Sequence, residues 1–137
     1  MISRGLRNNN PGNIRRSKIR YEGEVRPSRD REFKEFSSMA YGYRAMFVLL
    51  HSYNRRYGLN SIRGMLNRYA PPTENFTEGY IRFVANRTGI DANTIIDTLC
   101  ERDMVAIVRA MSEIENGTPA ILEDVEQGWR LFIDDLM

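Results

Sequence analysis

Apolar side chains recur at intervals of three and four residues along most of the chain after residue 38, and this periodicity limits the possible fold more than any other feature. Ala40, Tyr43, Phe47 and Leu50 show the pattern most clearly. Such spacing puts side chains on one face of an α-helix, where they can pack against a core. Glycines after several of these stretches fit helix C-caps. The pattern predicts six helices, over residues 38–57, 61–69, 76–88, 92–99, 103–115 and 119–135.

The N-terminal part of the chain has a different character. Residues 8–13 (NNNPGN) are turn formers, because Pro presets φ while Gly and Asn tolerate the left-handed region. Between Ile14 and Phe36 the apolar residues suggest short strands or extended turns rather than helices. A chain of 137 residues fits one domain, and no repeat or linker divides it. We therefore expect a single, mainly α domain over residues 1–137 with a small N-terminal β-hairpin lobe.

The composition of the chain excludes several classes of protein. No run of 18 apolar residues is present, so we expect no transmembrane helix, and the polar, basic start predicts no secretory signal. Cys100 and His51 are the sole cysteine and histidine, which excludes an internal disulfide and means that a zinc site would need unusual carboxylate ligands. Cys100 lies in an apolar stretch and is predicted to be a buried structural thiol rather than a nucleophile. We expect neither a metal nor an organic cofactor.

Charge is unevenly spread along a chain whose net charge is only +2. Residues 1–60 carry 13 basic and 5 acidic side chains, whereas residues 61–137 carry 7 basic and 13 acidic ones. A basic half can bind a polyanion such as nucleic acid, phospholipid or an anionic cell wall. The two halves can also neutralise each other across the fold, and the sequence leaves both interpretations open.

One carboxylate stands out on the helix predicted over residues 103–115. At 100° per residue from Met104, the apolar side chains of this helix form one stripe, and Glu115 falls inside it at about 20°. Glu113 falls on the opposite face at about 180°. A carboxyl group at the edge of a core is partly desolvated, which raises its pKa. Glu115 is therefore a candidate general acid, and a last-turn residue facing water is the alternative.

Several stretches resemble phage virion proteins described as structural lytic proteins or cell-wall hydrolases. The stretches are residues 4–15 (RGLRNNNPGNIR), 21–23 (YEG), 33–36 (FKEF), 41–45 (YGYRA), 68–75 (RYAPPTEN), 77–80 (TEGY) and 115–117 (ENG). Bacterial glucosaminidases are similar in the order of these features. In those enzymes, however, a helix ending in Glu-Ser-Gly precedes the Asn turn, whereas the corresponding Glu115-Asn116-Gly117 follows it here. The resemblance therefore implies a lysozyme-like domain that is circularly permuted, so that the helix with Glu115 follows the Asn turn instead of preceding it.

The resemblance implies a bacteriolytic enzyme of the muramidase or lytic transglycosylase type, of phage or prophage origin. Its partners would be peptidoglycan glycan strands and other virion or secretion-machine proteins, and it would be located in the virion or in the bacterial cytoplasm before delivery. Glu115 would be the catalytic acid. Glu24 would be a helper carboxylate, preferred over Glu22 and Asp30, and Glu74 is a weaker candidate.

Other side chains are candidates for lining a glycan groove, because aromatic faces stack on sugar rings and amides bond to them. They are Asn10, Asn13, Tyr43, Tyr69, Asn75 and Tyr80. Arg44 and Arg68 could hold carboxylates of the peptide stem or of a lactyl group, or could pair with Glu74 and Glu78.

Three rival functions stay open on the sequence. A peptidoglycan endopeptidase on the same fold would leave the glycan intact. A non-catalytic virion component would use the fold only to bind or pack. A nucleic-acid-binding module would use the basic half, although no helix-turn-helix or aromatic-basic reader motif supports it.

Overall fold

Six helices and one short antiparallel sheet make up the described part of the chain, residues 2–73 and 76–137 of the computed structural model. In chain order the elements are α1 (Arg4–Arg7), β1 (Glu24–Val25), β2 (Glu35–Phe36), α2 (Met39–Tyr57), α3 (Ile62–Tyr69), α4 (Thr77–Thr88), α5 (Glu101–Asn116) and α6 (Leu122–Leu136). The prediction of a mainly α-helical chain with a small N-terminal hairpin is confirmed. Within the described ranges, none of these helices has the length and apolar character that crossing a bilayer requires.

The longest helix, α2, begins and ends where its capping residues predict. The Ser38 hydroxyl accepts a hydrogen bond from the Tyr41 backbone N–H, and Gly58 ends the helix with a φ of 67°. The buried face carries the apolar residues whose spacing predicted the helix, among them Met46, Phe47 and Leu50. This helix contacts α3, α5, α6 and β2, so it positions most of the fold.

The most extensive contact between two helices is that of α2 with α6. Trp129 and Phe132 of α6 pack on Phe47 of α2, with ring centroids 5.0 and 6.0 Å apart. Gly128 lies directly over α2, because a Cβ atom at that position would be 2.7 Å from Tyr43 Cβ and 2.8 Å from the Ala40 carbonyl oxygen. The glycine therefore sets the distance between the two helices.

The substitution Gly128→Ala is expected to destabilise the protein by about 1–3 kcal/mol, because the added methyl group overpacks the α2–α6 contact. This outcome opposes helix propensity, which favours Ala by about 1 kcal/mol. Gly64→Ala in α3 is the matched control, since the nearest atom to its added Cβ would be the Ser61 hydroxyl at 3.3 Å. Urea unfolding midpoints measure both effects. Equal midpoints for the two variants would show that α2 and α6 can separate without cost.

The helix predicted over residues 92–99 is wrong. Residues 91–100 form turns and extended backbone, and α5 starts only at Glu101. The Asp91 and Asp97 carboxylates accept hydrogen bonds from the backbone N–H groups two residues on, at 2.8 and 2.9 Å. The Ile96 N–H donates to the Asn60 carbonyl at 2.7 Å. These bonds compete with the backbone hydrogen bonds of a helix, so residues 91–100 are not helical despite their apolar spacing.

Two further expectations differ from the structure near the ends of the predicted elements. Cys100, predicted to be buried, is half-buried just before α5. Residues 4–7, where the sequence predicts no helix, form the short helix α1, whose first turn is capped by the Ser3 hydroxyl. A single helical turn with one cap leaves too little periodicity to be recognised in a sequence.

The N-terminal lobe is a small sheet supported by a buried asparagine. Strands β1 and β2 pair antiparallel, with Glu24 opposite Phe36. The Asn10 amide nitrogen donates to the carbonyls of Ile14 and Lys34, and its oxygen accepts the Ile14 N–H, all at 2.9 Å. The amide thus satisfies backbone groups that join the Asn-rich turn to the lobe.

Candidate active site

Glu115 lies in the last turn of α5, and side chains from two distant parts of the chain hold its carboxyl group. Asn13 Nδ2, in the Asn-rich turn, donates to Glu115 Oε1 at 2.9 Å. The Tyr80 hydroxyl, on α4, donates to Oε2 at 3.0 Å. The tertiary structure therefore brings together three of the residues predicted for the site.

The turn that carries Asn13 is fixed to the end of α5 by hydrogen bonds. Asn9 and Asn13 adopt φ values of 51° and 50°, a left-handed conformation that asparagine tolerates better than most residues. Asn116 Nδ2 donates to the Pro11 carbonyl at 2.8 Å, and the Ser3 hydroxyl donates to Asn116 Oδ1 at 2.7 Å. Asn116 therefore links α1, the turn and α5 immediately beside Glu115.

The surroundings of Glu115 favour its neutral form. Burial raises the pKa of Glu115 above its ordinary value, and the hydrogen bonds from Asn13 and Tyr80 offset only part of that rise. Within the described ranges, no Lys, Arg or His forms an ion pair with this carboxyl group. Burial, and then the nearby Glu115 charge, also raises the pKa of Tyr80 and Tyr69 well above 10, so both phenols remain hydrogen-bond donors.

The Asn13 amide can accommodate both charge states of Glu115. Its nitrogen faces the carboxyl group, while its buried oxygen lacks a hydrogen-bond partner among the described residues. A half-turn of the amide would exchange the two atoms and let Oδ1 accept a bond from the protonated acid. The Asn13 side chain can thus hydrogen-bond to Glu115 in both its ionised and its protonated form.

Glu115 opens onto a cleft with a volume of about 360 Å³. The wall includes Asn13, Tyr53 and Tyr69, and the Tyr69 hydroxyl donates to the Gly12 carbonyl at 2.6 Å. The described lining residues are Gly12, Asn13, Ile14, Arg15, Phe33, Leu49, Tyr53, Tyr69, Ala70, Pro71 and Glu115. Among these described lining residues Glu115 is the sole carboxyl group, so it is the one of them that could act as an acid.

A second, more open depression also includes Glu115. Its volume is about 430 Å³, and it is lined by Tyr80, Ile114 and Glu115 together with Phe76, Gly79 and Phe83. Glu115 therefore lies where two depressions meet.

Three of the predicted groove residues lie elsewhere or cannot be placed. Tyr43 is 1% exposed and bonds to the Ser112 hydroxyl at 2.8 Å, so it is a core residue. Asn10 is fully buried in the lobe. Asn75, like Glu74, is outside the described residues. Arg44 pairs with Asp135 rather than with a described residue of the cleft.

Glu24 is separated from the Glu115 cleft and lines a different cavity, with Arg16, Ser17, Arg26, Pro27 and Ser28. Its carboxylate contacts Lys34 Nζ at 3.1 Å and Arg26 Nε at 2.7 Å. Burial raises the pKa of Glu24, but hydrogen bonds from Arg26, the Tyr21 N–H and Lys34 outweigh it and leave the pKa below its ordinary value. The alternatives Glu22 and Asp30 are paired too, with Arg44 and Arg4.

Sequence reasoning missed two side chains that contribute to the site. Tyr53 lines the cleft from α2, and the helical spacing treated it only as a core position. Asn116 anchors the turn, and its signal was the glycine that follows it, because Gly117 closes α5 with a φ of 70° and places Asn116 in the last turn.

The fold and the cleft define a mainly helical protein with a small antiparallel sheet and a half-buried carboxyl group, that of Glu115, in the wall of the cleft. No established protein-family profile matches the chain. Over 131 residues the chain is 41% identical to Protein P5 of Pseudoalteromonas phage PM2, an alignment that covers 93% of this chain and 80% of the relative. The chain belongs to the family of this phage protein.

Proposed function

We propose that the protein cleaves the glycosidic bonds of bacterial peptidoglycan and that Glu115 is the catalytic acid. The observation that carries the proposal is the half-buried Glu115 carboxyl group, with its raised pKa and no cationic partner among the described residues, at the junction of two depressions. A general acid near neutral pH needs these surroundings, because a carboxyl group that ionises readily has no proton to give.

Glu115 would protonate the bridging oxygen while the bond between that oxygen and the sugar C1 breaks. Asn13 and Tyr80 would orient the carboxyl group and stabilise the carboxylate that remains. The described cleft offers no second carboxylate, which favours resolution by the substrate itself. The 6-hydroxyl of the same sugar then bonds to C1, and its proton returns to Glu115, leaving an anhydro end. Water in place of that hydroxyl would leave a reducing end.

The finer interpretation of the fold, a circularly permuted lysozyme-like domain, is part of this proposal. Its main support is the contact between the Asn-rich turn and the end of α5, where Asn13 bonds to Glu115 across 102 positions in sequence. The link from Ser3 to Asn116 adds that the start of the described chain lies against the same helix end. Permutation is tolerated where the joined ends lie close together.

The relationship to a phage protein supports a phage or prophage origin and a place in or on the virion. A wall-cleaving enzyme delivered in this way would act during entry through the envelope. The relative's name states no activity, so the proposed activity rests on the site and not on this relationship.

Digestion of purified peptidoglycan by the wild-type protein, with products identified by mass spectrometry, tests the proposal. We expect new anhydro or reducing sugar ends with intact peptide stems. New free amines on intact glycan would assign the protein to the endopeptidases. Absence of any product, from protein shown to be folded, would favour a structural virion component.

A further inference from the structure

A further cavity, here called the arginine cavity, adjoins the Glu115 cleft. Its volume is about 730 Å³, and it shares Leu49, Tyr53 and Pro71 with the cleft. Arg56, from the last turn of α2, and Arg68, from the last turn of α3, also line it. A polymer bound at Glu115 would therefore lie next to a cavity lined by two arginines.

The two guanidinium groups of this cavity have no carboxylate partner among the described residues, unlike Arg63 and Arg44, which pair with Glu78 and with Asp135 and Glu22. The Arg68 guanidinium lies 3.8 Å above the centre of the Tyr57 ring. A ring face fixes a guanidinium in place while its N–H donors stay available at the edge. The ring face thus positions the Arg68 cation, and no described carboxylate neutralises it.

Helix polarity accounts for only part of this arrangement. Basic residues in the last turn of a helix are stabilised by its dipole, and Arg55, Arg56 and Arg68 all occupy such positions. Arg55, however, does not line the cavity. Stabilisation by the helix dipole does not require that Arg68 stack on Tyr57 or that its cavity share a wall with the Glu115 cleft.

We infer that the arginine cavity binds carboxylate groups carried by the glycan strand, on its lactyl or peptide-stem substituents, and so selects peptidoglycan over uncharged glycans. This inference rests on the proposed function. The sugar backbone of such a strand is uncharged, and its substituents carry the anionic groups. Arg binds a carboxylate through two parallel N–H donors, which gives both strength and orientation.

The test compares wild type, Arg68→Gln, Arg56→Gln and Arg55→Gln on two substrates, native glycan strands and the same strands with their carboxyl groups converted to amides. We expect Arg68→Gln and Arg56→Gln each to lower kcat/KM on native strands by about tenfold, the loss of one charge-assisted contact. On amidated strands all four proteins should share one reduced rate. Arg55→Gln should match wild type on both substrates.

Equal rates for Arg68→Gln and Arg55→Gln on native strands would overturn the inference while leaving the proposed function intact. If the wild type cleaves neither substrate, the proposed function fails, and binding then decides the inference separately. The measurement is the affinity of wild type and Arg68→Gln for soluble muropeptide oligomers, native or amidated. A wild-type preference for the native oligomers that Arg68→Gln lacks supports the cavity, and equal affinities overturn it.

Discussion

Glu115→Gln is expected to lower peptidoglycan cleavage by about 10²- to 10⁴-fold, the usual contribution of a positioned general acid. The glutamine side chain keeps the size of the original, and its single amide oxygen can accept one of the two bonds that Glu115 receives from Asn13 and Tyr80, but it has no acidic proton to donate to a leaving oxygen. Release of soluble muropeptides from purified sacculi, measured per mole of folded protein, gives the rate.

Glu113→Gln is the matched control, because Glu113 lies two residues away on the same helix and pairs with Arg87 outside the cleft. Its cleavage rate should equal that of wild type. A Glu115→Gln variant that cleaves as fast as the Glu113→Gln variant would remove Glu115 from the chemistry and leave the resemblance without its central residue.

The pH dependence follows from the raised pKa of Glu115. Cleavage should fall as pH rises through that pKa, because the protonated form is lost. The folded state holds this proton more tightly than the unfolded chain. The contribution of Glu115 to the free energy of unfolding is therefore largest at low pH. It declines as pH rises from the ordinary pKa of a glutamate through the raised pKa of Glu115. Glu115→Gln lacks that decline, so its melting temperature above that pKa should equal or exceed that of wild type.

The largest expected effect on stability comes from Glu24→Gln. Lys34 is 1% exposed, and its ammonium group contacts the carboxylate of Glu24, which is also buried. Removing one partner of a buried pair leaves an uncompensated charge, which costs about 3–5 kcal/mol. The Ile19 carbonyl also accepts from Lys34, at 2.7 Å, so we expect about 3 kcal/mol, near the lower end of that range. Urea unfolding of Glu24→Gln and wild type at pH 7 measures this loss of stability.

Glu22→Gln provides the comparison, since its ion pair with Arg44 is half exposed and should contribute about 1 kcal/mol or less. Equal stability of the two variants would contradict the structural role given to Glu24. A Glu24→Gln variant that folds normally yet fails to cleave would instead restore the helper role that the resemblance implies.

Local rules predicted the helices and the position of Glu115, because both depend on periods of a few residues. The stretch over residues 38–57 matches α2 since Ser38 and Gly58 cap it and the buried face follows the 3.6-residue period. The same rules failed at residues 91–100, where Asp91 and Asp97 bond to nearby backbone instead. Apolar spacing alone carries no information about that competition.

The tertiary structure decided which candidate side chains share a site. Tyr43 and Tyr80 are both helical tyrosines, yet Tyr43 meets Ser112 in the core, while Tyr80 meets Glu115 at the cleft. Asn10 and Asn13 lie in one turn, yet only Asn13 reaches the carboxyl group.

By itself, the sequence determined a mainly helical chain, its Asn-rich turn and a carboxyl group carried into an apolar stripe by helical geometry. Only the tertiary structure decided that Glu115 meets Asn13 and Tyr80, and that Glu24 is neutralised by Lys34. The physical reason is that a hydrogen bond or an ion pair depends on distances of about 3 Å between atoms, and packing sets those distances between residues that are far apart in sequence.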